Sequence, residues 1–304
     1  MDAVNPLLAE VEKLRVVVGP TASGKTALAI QLAEALDGEI ISADSVQIYR
    51  HFDIGSGKPS SDELKRVPHH LVGDLEPTDD IDASRFAELA DKRIADIVSR
   101  GKTPIVCGGT FLWVRALLFG LVKAPPGNED IRREHARYVE AHGREALHER
   151  LREHDPESFA RLNPNDFIRV SRALEVLELT GAPLSQLQAA HGFRTPRYSF
   201  ELLGIRHTAD ELTERITRRV SSMLEQGWEN EVRSLLSRGF GETRPMASVG
   251  YRQVALAVSS TTPPLRQALL DDVVRVTRIF ARRQRTWLRD QPVRWLSPAE
   301  PQTP

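Results

Sequence analysis

Apolar residues along the first 120 positions follow two alternating rhythms. Short continuous aliphatic runs at 14–18, 39–43 and 103–107 are bounded by glycine, aspartate or threonine, and read as buried strands. Between them, apolar residues recur every three or four positions. Residues 27–36 are rich in Ala and Leu without a breaker. Residues 84–100 carry Phe86, Leu89, Ala90, Ile94, Ile97 and Val98 on one helical face, and 111–119 reads as a further helix. Such alternation predicts a parallel sheet covered by helices, with ligands at the carboxyl ends of the strands. The rhythm changes at Ala124-Pro125-Pro126-Gly127. From 131 to about 191 nothing reads as a strand. That stretch is charged, amphipathic and helical, with breaks at Asp155-Pro156, Asn163-Pro164 and Gly181. A strand at 200–205 resumes the sheet. Helices at 209–226 and 228–237, a loop at 239–251, a long helix at 265–290 and a last strand at 293–296 follow. A Pro-rich tail, expected to be disordered, closes the chain. The expected organisation is a core of 1–123 plus 197–304, with an all-helical insertion at 124–196.

Composition narrows the function classes. No apolar run approaches the roughly 18 residues of a membrane span. The N-terminus lacks the basic start and apolar stretch of a signal peptide, so a cytoplasmic protein is expected. Cys107 is the sole cysteine, which excludes an internal disulfide and a multi-cysteine zinc site. Its apolar surroundings predict a buried, inert thiol. A net charge of −1 argues against a chain coated in positive charge, yet 34 arginines stand against 7 lysines. Genomic base composition or phosphate recognition could explain that excess, and position must decide.

The strand at 14–18 runs into Gly19-Pro20-Thr21-Ala22-Ser23-Gly24-Lys25-Thr26, which fits G-x-x-x-x-G-K-[ST] and opens the next helix. Strand, glycine loop and helix is the context a phosphate-binding P-loop needs. Its backbone N–H groups and helix N-terminus present positive potential to phosphate oxygens. Lys25 adds a full charge, and the Thr26 hydroxyl is placed for Mg²⁺. The fold class is therefore α/β, with a P-loop NTPase-like parallel sheet core and an all-helical insertion domain.

Asp44, at the end of the second strand, falls beside the P-loop in a parallel sheet. It suits a general base or a substrate clamp, or it caps a turn. Thr110, after the next strand, would point into the same crevice or cap the following helix. His69 and His70 would point in opposite directions if extended, a poor metal geometry, so a structural role is expected. Arg169 and Arg172 share a helix face. Arg275, Arg278, Arg282, Arg285 and Arg289 recur every three or four residues, a basic stripe about 21 Å long. Arg283 and Arg294 add charge nearby. The acids Asp271, Asp272 and Asp290 sit only at the ends of that helix, so a polyanion-facing stripe is expected. Trp287 and Phe280 suggest that the other face packs in the core.

The ordered set of motifs resembles the bacterial tRNA dimethylallyltransferases. The P-loop octet, Ile41-Ser42-Ala43-Asp44-Ser45-Val46-Gln47-Ile48-Tyr49 and Asp53-Ile54-Gly55-Ser56-Gly57-Lys58-Pro59 carry the likeness. So do Pro68-His69-His70-Leu71, Gly108-Gly109-Thr110, Ser171-Arg172-Ala173-Leu174-Glu175-Val176, Val249-Gly250-Tyr251-Arg252-Gln253 and Arg283-Gln284-Arg285-Thr286-Trp287. The resemblance spans about residues 14–296. It implies transfer of the dimethylallyl group of dimethylallyl diphosphate to N6 of adenosine 37, beside the anticodon, with Mg²⁺. The tRNAs would be those reading codons that begin with U. The P-loop, Gly19 to Thr26, would hold the diphosphate with Arg215 assisting, and Thr26 would hold the metal. Asp44 would accept the amine proton, with Thr110 near the transferred carbon and Lys25 stabilising the leaving group. The anticodon stem-loop would be contacted by Asp44, Ser45, Val46, Gln47, Thr110, Arg133, Arg169, Arg172, Gly250, Tyr251 and Arg252. The insertion would serve tRNA binding. No membrane partner is expected, and the chain is expected to be a monomer. Members often carry glutamine where this chain has Ile168. Two rival classes remain. A small-molecule kinase would use the P-loop with ATP but leaves the arginine stripe unexplained. A non-catalytic RNA binder leaves Asp44 beside a P-loop unexplained.

Overall fold

The computed structural model describes residues 13–193 and 195–297. In chain order its elements begin with β1 (Leu14–Val18), α1 (Lys25–Ala35), β2 (Gly38–Ala43), α2 (Ser61–Arg66), β3 (His69–His70) and α3 (Ala83–Ser99). Next come β4 (Thr103–Gly108), α4 (Phe111–Phe119), α5 (Glu129–His142), α6 (Arg144–Glu149), α7 (Leu151–His154) and α8 (Pro156–Arg161). After these lie α9 (Phe167–Thr180), α10 (Leu184–His191), β5 (Phe200–Ile205), α11 (Ala209–Glu225) and α12 (Trp228–Ser237). The last are α13 (Tyr251–Ser259), α14 (Arg266–Leu288) and β6 (Val293–Leu296). The Pro-rich tail lies outside the described residues.

The chain forms two compact units, Met1–Leu118 with Arg197–Pro304, and Phe119–Pro196. In the first, six parallel strands run in the order β3-β2-β4-β1-β5-β6. The apolar face of α1 (Leu28, Ala29, Ile30, Ala33) packs on Val17, Ile40, Ile105 and Cys107 from three strands. Burial pushes the Cys107 thiol up to about 12, so it is inert as expected. Register then places the functional loops. Gly108 pairs with Val18 on one side and Ala43 on the other, so the chain leaves β1, β4 and β2 in adjacent positions. That row requires glycine, because a Cβ on residue 108 would lie 2.1 Å from the Ala43 carbonyl oxygen.

Three short elements lie outside the expected pattern. A Ser60–Glu63 capping box sets the six-residue α2. β3 pairs only with Ile40 and Ile41 at the sheet edge. There His69 Nδ1 donates to Val67 O at 2.8 Å, and His70 Nε2 lies 2.6 Å from Glu39 Oε2, the structural role expected of both. The third is α13, entered from Gly250 in a left-handed conformation (φ 91°).

In the second unit, Leu147, Leu151, Leu162, Val170, Ala173 and Leu174 form a separate core ringed by Tyr138, Phe159 and Phe167. Its helices start where the sequence supplies caps. Asn128 accepts from the Asp130 and Ile131 amides, Asp155 from Ser158, and Asp166 from Arg169.

Glu39 is a buried carboxylate of the first unit. Hydrogen bonds from Arg100, with one from His70, hold its carboxyl at about 2 against the opposing effect of burial, well below its ordinary 4.5. A depressed folded pKa contributes stability that is complete above the unfolded value and lost as pH falls toward the folded one. Acid unfolding should therefore steepen between about pH 4.5 and 2. Glu39→Gln should flatten that limb in circular-dichroism titrations. An unchanged limb would assign the acid sensitivity elsewhere.

Candidate active site

The P-loop is shaped by what removes its carbonyls from the anion side. Arg215 Nε on α11 donates to Ala22 O at 2.7 Å, and His207 Nε2 donates to Ser23 O at 2.9 Å. Gly24 enters α1 left-handed (φ 90°) and gives no side-chain cap. Among the described residues, the Gly24, Lys25 and Thr26 amides consequently have no protein acceptor. The Ser23 hydroxyl is buried without a partner. Two expected contributors are corrected. Pro20 has no N–H, and the Thr21 N–H is taken by Gln284 Oε1 at 2.8 Å, so neither supplies an amide to a phosphate.

Positive charge converges on the same loop. A cavity of about 380 Å³ is lined by Gly24, Lys25, Thr26, Arg215, Arg218 and Arg219, with the Glu63 carboxylate also in its wall. Burial pushes the Lys25 ammonium below its usual range; Arg219 adds to this, while Cys107 and Asp44 oppose it. Burial likewise lowers Arg219. An anion there would relieve both cations. Arg218 and Arg219 were missed in the sequence, although their spacing of three and four from Arg215 on a helix is a legible signal.

A second, connecting space of about 400 Å³ is lined by Lys25, Thr26, Asp44, Ser45, Val46 and Thr110, among others. Asp44 fills the turn-capping role. Its Oδ1 caps the turn, accepting from the Val46 and Gln47 amides at 2.9 and 3.2 Å. Oδ2 has no hydrogen-bond partner among the described residues. The Thr110 hydroxyl does not cap α4. It accepts from the Ser45 N–H at 3.1 Å, tying the loop after β4 to the loop after β2. The far wall is apolar: Ile216, Val220 and Met223 of α11 face Val273 and Phe280 of α14.

Several residues expected at an RNA surface are committed internally. The Gln47 amide donates to Gly57 O at 2.9 Å and Ser56 O at 3.3 Å. Tyr251 is buried, donating to Glu231 Oε1 at 2.6 Å and packing on Phe52 and Trp228. A Cβ on Gly250 would lie 2.5 Å from Trp228. Of this motif, Val249 and Arg252 are exposed. In the helical unit, Arg172 pairs with the fully buried Glu175 and donates to Pro125 O at 2.6 Å. It does not share a free basic face with Arg169, which is exposed near Asp166. Arg133 is exposed beside Asp130, and Ile168 is 79% exposed.

The arginine stripe is solvent-facing. Arg275 pairs with Asp272 and Arg289 with Asp290, while Arg278, Arg282 and Arg285 have no ion-pair partner among the described residues. At about 100° per residue, the stripe falls nearly opposite Val273, Thr277, Phe280 and Gln284, which line the crevice. The expected core packing of Trp287 and Phe280 is divided. Trp287 stacks on Phe111 at 4.3 Å, whereas Phe280 is 39% exposed and lines the crevice.

Known proteins supply an independent comparison. The family model described as IPP transferase matches residues 47–291. A tRNA dimethylallyltransferase of Sorangium cellulosum is 56% identical over 94% of this chain and 90% of its own. One of Myxococcus xanthus is 46% identical over 92% and 90%. The crystal structure of a Bacillus halodurans tRNA isopentenylpyrophosphate transferase superposes with a TM-score of 0.67 at 36% identity, covering 94% of this chain and 90% of that one. A eukaryotic dimethylallyltransferase acting on tRNA gives 0.78 at 25% identity, over 94% and 73%.

The convergence on the P-loop yields a direct test. Lys25→Met should weaken binding of inorganic pyrophosphate by roughly 10- to 100-fold in calorimetry, through loss of a charge-assisted contact. The melting temperature of the protein alone should not fall, since a desolvated cation is removed. Unchanged pyrophosphate affinity would detach the loop from anion binding.

Proposed function

The chain belongs to the IPP transferase family, and from that premise we propose that it transfers the dimethylallyl group of dimethylallyl diphosphate to N6 of adenosine 37 of tRNAs reading codons that begin with U. One observation carries the reading: an anion cradle with half-buried cations and a half-free carboxylate open onto one crevice with an apolar wall.

The diphosphate would accept from the Gly24, Lys25 and Thr26 amides and from the Lys25, Arg215 and Arg219 side chains. The prenyl chain would lie against Ile216, Val220, Met223 and Phe280. As the C1–O bond breaks, its electron pair goes to the diphosphate, where these donors stabilise the developing charge. The adenine must leave its stack to enter the crevice. Its N6 forms the new bond to C1, and Asp44 Oδ2 accepts the proton that N6 loses. The described residues hold no cluster of three or more metal-ligating side chains. Mg²⁺ nevertheless fits, since it commonly takes one or two protein oxygens plus phosphate oxygens. The Thr26 hydroxyl would hold it, and it would supply further neutralisation of the leaving group. Arg133 and Arg169 of the helical unit, Arg252 and the unpaired stripe arginines would meet RNA phosphates.

Incubation with unmodified tRNA and radiolabelled dimethylallyl diphosphate, with an ATP control, tests the reaction. Labelled tRNA and intact inorganic diphosphate are expected. Phosphate transfer from ATP would turn the reading toward a kinase. Asp44→Asn keeps the shape and loses the basicity. Its kcat should fall by about 10²- to 10⁴-fold with tRNA affinity little changed, and near-normal turnover would leave Asp44 only the role of positioning the base.

A phosphate contact releases counterions. Changing each of Arg278, Arg282 and Arg285 to Gln should therefore flatten the slope of log affinity against log salt by roughly 0.7 to 0.9 wherever the residue touches RNA. Different tRNAs should weaken alike. An unchanged slope with a lowered melting temperature would assign the stripe to structure.

A further inference from the structure

The reaction needs two loops held at a set distance, one carrying the leaving group and one carrying the acceptor. A single buried side chain from a third element lies between them. Gln284 of α14 is 6% exposed, and both ends of its amide are engaged. Oε1 accepts the Thr21 N–H of the P-loop at 2.8 Å, and Nε2 donates to Gly109 O, after β4, at 2.9 Å. These two bonds fix the orientation of the amide, since a carbonyl cannot donate and an N–H cannot accept. The space is filled: a Cβ on Gly109 would lie 2.6 Å from Nε2. From Gly109 the connection continues through Thr110, whose hydroxyl takes the Ser45 N–H, to the turn capped by Asp44.

Resting on the reaction proposed above, we propose that Gln284 is a positioning residue that sets the separation between the diphosphate cradle and the acceptor edge of the crevice. It borders the crevice, but both ends of its amide are committed to the protein, and it acts through Thr21 and Gly109. Its two bonds are not needed for the cradle itself, because Arg215 and His207 hold the Ala22 and Ser23 carbonyls independently. Loss of Gln284 should therefore spare anion binding and impair transfer, since a misplacement of about 1 Å between reacting groups costs on the order of 10²-fold.

Gln284→Met removes both bonds at similar volume. Gln284→Glu keeps an acceptor for Thr21 and sets a carboxylate against Gly109 O. For both variants, inorganic pyrophosphate affinity should stay within about threefold of the parent. Single-turnover transfer to unmodified tRNA should fall by roughly 30- to 100-fold. KM for dimethylallyl diphosphate should change little, and the fraction of prenyl groups captured by water instead of RNA should rise. Gln284→Asn, which keeps both groups on a shorter stem, should recover part of the transfer rate. Unchanged single-turnover rates in Met and Glu variants would overturn the assignment. So would a parallel fall of pyrophosphate affinity and melting temperature, the pattern of a purely structural side chain. A parent protein that binds pyrophosphate but prenylates no RNA would defeat the proposed reaction itself, and this assignment with it.

Discussion

The carboxyl ends of β1, β4 and β2 lie side by side because Gly108 carries no side chain where the Ala43 carbonyl approaches it. A parallel sheet sends every strand end to one edge, but only this close register sets the P-loop, the Thr110 loop and the Asp44 turn within reach of one another. Each loop is then trimmed by contacts from outside the sheet. Arg215 and His207 turn the P-loop carbonyls aside, Thr110 catches Ser45, and Gln284 spans the first two loops. The sheet sets the neighbourhood, and α11 and α14 set the chemistry within it.

The electrostatics follow the same division. Lys25 and Arg219 are half-buried, and desolvation lowers both, a cost that an anion beside them would offset. The stripe of α14 presents its charge to solvent and faces away from the crevice. One helix therefore carries an apolar and amide inner face and a cationic outer one.

What the sequence made legible was local. The P-loop announces itself because strand, glycines, lysine and helix are contiguous, and Asp44 follows from the end of a short apolar run. Strands of four or more residues and the long helices stand out by periodicity. The two residues of β3 and the single-box α2 are too short to show any. Gln284 escaped because its partners lie 175 and 263 positions away, and a polar residue amid arginines looks solvated until packing places it. Arg172 illustrates the opposite error. Its partner Glu175 was visible three residues on, but nothing local shows that this carboxylate is fully buried and so claims the guanidinium.

The loop at 53–58 holds a final consequence. Consecutive amides of Asp53, Ile54 and Gly55 all donate to the Glu231 carboxylate, at 3.0, 2.7 and 3.3 Å, and Tyr251 adds a fourth donor. Such runs of N–H groups form nests that attract anions. This chain thus folds with two nests near one crevice, and one is plugged by its own carboxylate. An incoming anion would find the amides of residues 53–55 already occupied, which leaves the P-loop as the open run of donors.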